Sequence, residues 1–249
     1  MNKPAAISPG NNRVIRLLSL AGILGGLILS CGDQMLFYGP FANLSDISTV
    51  NTGQVPIETM GTGASWRLEL TAICALLAAW LYTLGSGALY YALLPAGKKI
   101  AITFCILFGM VMISVGIIHT VYFAIGVGAQ NAYALGAGLN DAAAATRLAV
   151  DVFNTETMII YVPGIIATVL FFYAVLFKKT HLPKWYVILF PMVLVNSQYI
   201  VLPLLPDNLF KVSLMGGYVN ASFTIFFLFL TVALWNVGEN PECKGGNED

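Results

Sequence analysis

Long apolar runs, repeated at intervals along the chain, leave few folds open to it. A helix crossing the ~30 Å hydrocarbon core of a bilayer needs about 20 mostly apolar residues, since each adds about 1.5 Å. Val14 to Tyr38, Leu68 to Leu94, Ile100 to Gly126, Thr157 to Phe177, Trp185 to Leu205 and Leu214 to Trp235 all meet that length. None shows the ~10-residue alternation of a membrane barrel strand. Composition agrees. Of the 249 residues, 58% are hydrophobic and 10% charged, whereas a water-soluble domain carries ~25% charged residues. The expected fold is all-α: an integral membrane bundle of about six transmembrane helices in one domain. That domain takes in residues 1–236, and a polar tail follows at 237–249.

Basic residues orient the bundle. Lys3, Arg13, Arg16, Lys98, Lys99, Lys178, Lys179, Lys184 and Lys244 fall on one side, and only Arg67, Arg147 and Lys211 on the other. The richer side is expected to be cytoplasmic, with both termini there. Tyr90, Tyr91, Trp185, Tyr186 and Trp235 gather at that boundary as an interfacial belt, and Trp66, Tyr122 and Tyr161 can serve the opposite one. With a net charge of zero, nothing points to nucleic acid. The remaining expected partners are membrane lipid and a small-molecule ligand.

Two outer segments are long. Residues 42–66 are rich in Gly, Ser, Thr and Asn and read as an irregular loop or cap. They include a glycosylation sequon at Asn43, meaningful only in a eukaryotic host. Residues 127–156 carry Asn140 as a helix N-cap ahead of an alanine-rich run, which predicts an outer helix leading into the fourth span. Arg147 and Asp151 can pair across one turn of it. Pro163 and Pro191 are expected to kink the fourth and fifth helices. Small residues (Gly22, Gly25, Gly26, Gly85, Gly109 and Gly116) suit close helix contacts. The N-terminus has a competing reading, because the apolar run ending at Cys31 is like a lipoprotein signal with Cys31 acylated. Leu29 is bulky for that pattern, and the first span is expected to be retained. The cysteines form no CxxC pair and read as free thiols.

Depth singles out the residues that could carry chemistry. Counted from the basic boundary, Asp33 lies roughly 25 Å up its helix, His119 roughly 30 Å, and Asn196 and Gln198 roughly 18–21 Å. Glu69 and Glu156 open the second and fourth helices, and Asn220 lies near the outer end of the sixth. The inner half offers mainly Thr83, Ser86 and Thr103. Ionisable groups in hydrocarbon cost a few kcal/mol and need partners or water. The expected site is therefore an outward-facing polar pocket lined by Asp33, Glu69, His119, Asn196, Gln198 and Asn220. Glu69, Glu156 and Arg67 also suit a simpler role at helix starts, where acids meet the positive end of the helix dipole. Asp33 and His119 interrupt apolar runs and have no such excuse.

Several chemistries fail. Ser86 and His119 lie near opposite faces, some 20 Å apart, too far for a hydrolase pair. The second histidine, His181, falls in a basic loop, so no bis-histidine haem can form. No lysine lies within the bundle for a retinal Schiff base. His119 with Asp33 and Glu69 is a thin set for zinc. No metal or other cofactor is implied.

The Gly32-Asp33 pair ending the first helix and the glycine three residues before His119, Gly116, resemble an uncharacterised family of bacterial polytopic membrane proteins. The resemblance covers the first three spans. It implies the same architecture in a bacterial plasma (inner) membrane and no particular activity. Three functions follow from the polar belt. The first is a binding protein for a small molecule or lipid headgroup. The second is an enzyme on a lipid-like substrate, with candidate catalytic residues His119, Asp33 and Glu69 exchanging a proton. The third is a transporter, which would need a route through the apolar inner half.

Overall fold

The structure, a computed structural model, describes residues 9–37, 56–206 and 208–235. The Asn43 sequon, Cys243 and the polar tail lie outside the described residues. Among these residues, α-helices and short 3-10 turns make up the regular structure: α1 (Pro9–Phe37), α2 (Ile57–Thr62), α3 (Ser65–Leu93), α4 (Lys98–Ala134), α5 (Leu139–Phe177), α6 (Pro191–Asn196), α7 (Gln198–Val201) and α8 (Leu209–Leu234). Five helices are long and apolar enough to cross a membrane: Asn12–Phe37, Ser65–Ala96, Lys98–Ala134, Leu139–Phe177 and Phe210–Leu234. Leucines, isoleucines and valines stand exposed along their outer faces. In water such faces would associate; in lipid they are solvated.

The helices pack as a chain of neighbours. α1 lies between α3 and α8, α4 packs on α3, and α5 packs on α4. Glycine sets the tightest contact. A Cβ on Gly85 would come within 2.9 Å of the Gly22 Cα, and one on Gly22 would overlap the Phe227 ring. Backbones of α1 and α3 therefore meet directly under α8, as small residues allow in membrane bundles. Toward the end that holds the termini of α1 and α8, an aromatic core fills the interior. Phe104, Phe108, Phe171, Phe190, Phe226 and Phe227 stack there with ring centroids 4.6–6.5 Å apart. Arg16 closes that end, donating to the Trp235 carbonyl at 2.6 and 3.0 Å with its guanidinium 4.5 Å above the Trp235 ring. A smaller cluster of Leu36, Met60, Leu68 and Ile125 closes the opposite end.

Several expectations change here. The stretch from Trp185 to Leu205 is not one helix. It is a 3-10 turn (Lys184–Leu189), then α6, α7 and a final 3-10 turn (Leu202–Leu204). Pro191 forces its predecessor Phe190 to an extended backbone (φ −60°, ψ 134°) and then starts α6 rather than kinking a longer helix. Pro203 holds the second break. The stretch still runs antiparallel to α8, since Tyr186 bonds the Phe226 carbonyl and Ser197 bonds Tyr218, about two turns nearer the start of α8. Tyr186 is thus a fully buried core residue, not an interfacial anchor.

The outer helix and the fourth span are a single 39-residue helix, α5, running through Pro163. Its N-cap is Gly138, whose amide donates to Asp141, in place of the expected Asn140. The Arg147–Asp151 pair forms at 4.0 Å on its exposed face. α2 and Gln130 give order to part of the expected irregular cap: the Gln130 amide donates to the Met60 and Gly63 carbonyls. Cys31, Cys74 and Cys105 are free thiols, and α1 continues through Cys31. In the turn after α5, partial burial pushes the His181 imidazole below its ordinary value.

Candidate functional site

Asp33 lies one turn from the end of α1, where the helix is pinned on three sides. The Gly32 carbonyl accepts from Thr71 of α3 at 2.9 Å, and the Leu36 carbonyl accepts from Thr59 of α2 at 2.8 Å. Gln34 exchanges two hydrogen bonds with Ser213 of α8, at 2.6 and 2.9 Å. The glycines beside the two ionisable residues have a steric reason. A Cβ on Gly32 would stand 3.0 Å from the Cys74 Cβ, and one on Gly116 would stand 3.0 Å from the Ala79 Cβ. Both glycines let their helices lean on α3, which brings Asp33 and His119 together across it.

The contact is direct. His119 Nε2 lies 2.9 Å from Asp33 Oδ1. Asn220 of α8 donates its Nδ2 hydrogen to Asp33 Oδ2 at 2.6 Å, and Tyr82 of α3 donates its hydroxyl to Asn220 Oδ1 at 3.0 Å. At the other end, His119 Nδ1 is 2.7 Å from the Val115 carbonyl. Four side chains from α1, α3, α4 and α8 thus form one line of hydrogen bonds. Asp33 and His119 are 6% exposed, Asn220 2% and Tyr82 0%. Tyr122 covers the imidazole edge-on at 5.6 Å and is itself backed by Phe153 at 4.7 Å.

Hydrogen-bond directions fix the proton count. A carbonyl can only accept, so His119 Nδ1 carries a hydrogen for Val115. Nε2 and Asp33 Oδ1 then need one further proton between them, because two bare lone pairs would otherwise face each other at 2.9 Å in a dry interior. The pair is therefore a one-proton site of zero net charge. It is either imidazolium with carboxylate or imidazole with carboxylic acid. Neutrality is what permits it inside an apolar bundle, where an isolated charge would cost several kcal/mol.

Of the sequence candidates, Asp33, His119 and Asn220 are brought together. The others are not. Glu69 is exposed one residue away from buried Leu68, and Asn196 is exposed with its amide turned back to the Met192 carbonyl of its own helix. Gln198 is half-buried in α7, outside the line of hydrogen bonds. Tyr82 was missed, since a tyrosine in a membrane helix attracts no notice by itself. Its neighbours carry a signal: Ala78, Ala79, Gly85 and Ser86, three and four residues either way, mark a small-residue stripe facing other helices. Among the described residues no three His, Cys, Asp or Glu side chains come close enough to hold a metal ion.

Fold and site define an all-helical protein of transmembrane character with a buried protonatable centre shared by four helices. The chain belongs to a family of unknown function, DUF6796, which matches residues 1–237. No curated protein and no solved structure matches it.

Proposed function

We propose that this is a multi-pass protein of the bacterial plasma membrane, with six crossings and both termini in the cytoplasm. It binds a small molecule or lipid headgroup from the outer side at the Asp33–His119–Asn220 centre. The observation that carries the reading is the buried 2.9 Å contact between Asp33 and His119, held from α3 and α8 through Tyr82 and Asn220. Ionisable groups inside a membrane bundle mark ligand or proton sites far more often than they mark packing. The broken stretch 184–204 is the proposed sixth crossing: it is apolar and runs beside α8 for at least the roughly 12 Å between the Phe226 and Tyr218 levels. Ligand binding would exchange the internal hydrogen bonds for bonds to the ligand and move the shared proton.

The test uses purified protein in nanodiscs with a panel of amino acids, amines, carboxylates, glycerol phosphate and phosphoethanolamine. Thermal shift reports binding, and a pH indicator in weak buffer reports the proton. A ligand should shift wild type, with Asp33→Asn and His119→Gln weakening it at least tenfold. If no probe shifts wild type, or the variants respond as wild type does, the reading fails. Topology is tested apart from function, by labelling single cysteines placed at the exposed positions Lys98, Lys178 and Arg147. The first two should react from the cytoplasm and the third from outside.

One observation favours a second reading. The Asp33–His119 distance is that of proton transfer, so an acid–base enzyme acting on a lipid-like substrate fits the same pair. Turnover of a membrane lipid extract, followed by mass spectrometry and abolished in Asp33→Asn, would select it over binding alone.

A further inference from the structure

Asp33 has two partners for its two oxygens; a second acid has none. Glu156 lies on α5, in the helix's transmembrane-type stretch, and its Oε2 is buried with no hydrogen-bond partner. Glu156 lines a recess of about 120 Å3 between α4 and α5, together with Ser114, Ile117, Ile159 and Ile160. Ile117 and Ile159 are 49% and 64% exposed on the side of the bundle. The recess therefore opens laterally, onto the surface that acyl chains cover, and not along the helix axes. An acceptor oxygen shut away from water and from protein donors costs about 1–3 kcal/mol, more when it is charged. A turn of the Glu156 carboxyl into the recess, toward a donor arriving from the bilayer side, would remove that cost.

We propose that this recess is a lateral binding site for an amphiphile bearing a protonated primary amine. The ammonium group donates to Glu156, the Ser114 hydroxyl offers a second polar contact, and the alkyl chain lies over Ile117 and Ile159. Three features select that chemistry. The carboxylate accepts only, so the ligand must donate. Its charge disfavours phosphates and carboxylates presented without an amine. The small volume suits an ethylammonium-sized group better than a trimethylated one, which also lacks an N–H. The recess shares α4 with the proton pair: its Ser114 precedes the Val115 whose carbonyl holds His119. The proposal does not depend on Asp33 or His119 binding anything.

Dodecylamine is the probe, with dodecanol as the neutral control, titrated into protein in dodecylmaltoside micelles at pH 7 while thermal stability is followed. Wild type should gain several degrees with dodecylamine and little with dodecanol. Glu156→Gln should raise the half-saturating amine concentration at least tenfold, and the exposed-acid control Glu69→Gln should leave it unchanged. Ile160→Phe, which fills the recess without touching the charge, should also abolish the shift, and Asp33→Asn should keep it. An equal response in wild type and Glu156→Gln, or equal effects of amine and alcohol, overturns the proposal. A change of oligomeric state in Glu156→Gln also overturns it, in favour of a contact between copies. Nanodiscs then identify the source: stabilisation by phosphatidylethanolamine over phosphatidylcholine, lost in Glu156→Gln, identifies a membrane lipid. Stabilisation by added dodecylamine alone identifies a free amine.

Discussion

Replacing Asp33 by asparagine should be nearly harmless to the fold, and replacing its partner His119 by alanine should not. In Asp33→Asn the new carboxamide oxygen can accept from Asn220, and the new amide can donate to the Nε2 lone pair of a neutral His119, whose Nδ1 still bonds Val115. Both contacts survive without charge. Each charge-assisted bond worth about 1.5–3 kcal/mol becomes a neutral one worth about 1 kcal/mol, while the expense of burying ionised groups disappears. The net change should be within about 1 kcal/mol of wild type. His119→Ala removes the partner and strands a buried carboxylate, a loss of about 3–5 kcal/mol. The double variant carries no stranded charge and should recover about 1–2 kcal/mol relative to His119→Ala. Asp33→Asn is thus neutral alone and stabilising in the alanine background. Unfolding in dodecylmaltoside titrated with SDS, followed by far-UV circular dichroism, gives all four free energies. The one-proton account is refuted if Asp33→Asn costs as much as His119→Ala, or if it brings no recovery in the double variant.

Three further outcomes are open to the same assay. Tyr82→Phe should cost about 0.5–1.5 kcal/mol in wild type and gain about 1 kcal/mol in Asn220→Leu, where the buried hydroxyl has lost its acceptor; additive effects would separate the two residues. Gly22→Leu should lose about 1–3 kcal/mol by forcing α8 off α1 and α3, whereas Gly109→Ala, where a Cβ meets nothing within 4 Å, should be neutral or gain about 0.5–1 kcal/mol. His181 has a folded value depressed by burial, so its contribution is fully present above its unfolded value near 6.5 and is lost as pH falls through the folded one. Wild type should therefore lose more thermal stability than His181→Asn between pH 8 and pH 5; equal losses would show that the imidazole is not responsible.

What could be read from the sequence was depth, and what could not was direction. Counting residues from the basic boundary puts Asp33 and His119 at similar heights, Asn220 falls near the outer end of the last span, and the three meet. The same count placed Glu69, Asn196 and Gln198 near them, yet Glu69 and Asn196 point outward. A residue's height follows from 1.5 Å per residue, but its azimuth depends on which face of the helix packs. That is fixed by contacts such as Gly116 on Ala79, which no single segment contains. The fifth apolar stretch shows the other limit. Its hydropathy is that of a span, but three prolines, Pro183, Pro191 and Pro203, set its backbone locally, and the result is short pieces in place of one helix. Tyr82 was legible only through its neighbours, because its own side chain belongs equally well in a core, a belt or a network.

Asp33 and Glu156 are both carboxyls on transmembrane-type helices, and the contrast between them bears on function. Asp33 is matched bond for bond by the protein, so any ligand at that centre must break existing contacts and will bind with a conformational change and a proton. Glu156 is left short of a donor, so a ligand there has no internal bond to displace at Oε2 and needs only a turn of the side chain toward it. The two sites should therefore differ in kinetics as well as chemistry: fast association at Glu156, which displaces no internal bond, and slower association at Asp33, which must break two. Stopped-flow mixing with an amine probe, with and without a pH indicator, separates them. A fast phase with dodecylamine that is lost in Asp33→Asn and kept in Glu156→Gln would reverse the assignment, and the division between the two sites would not hold.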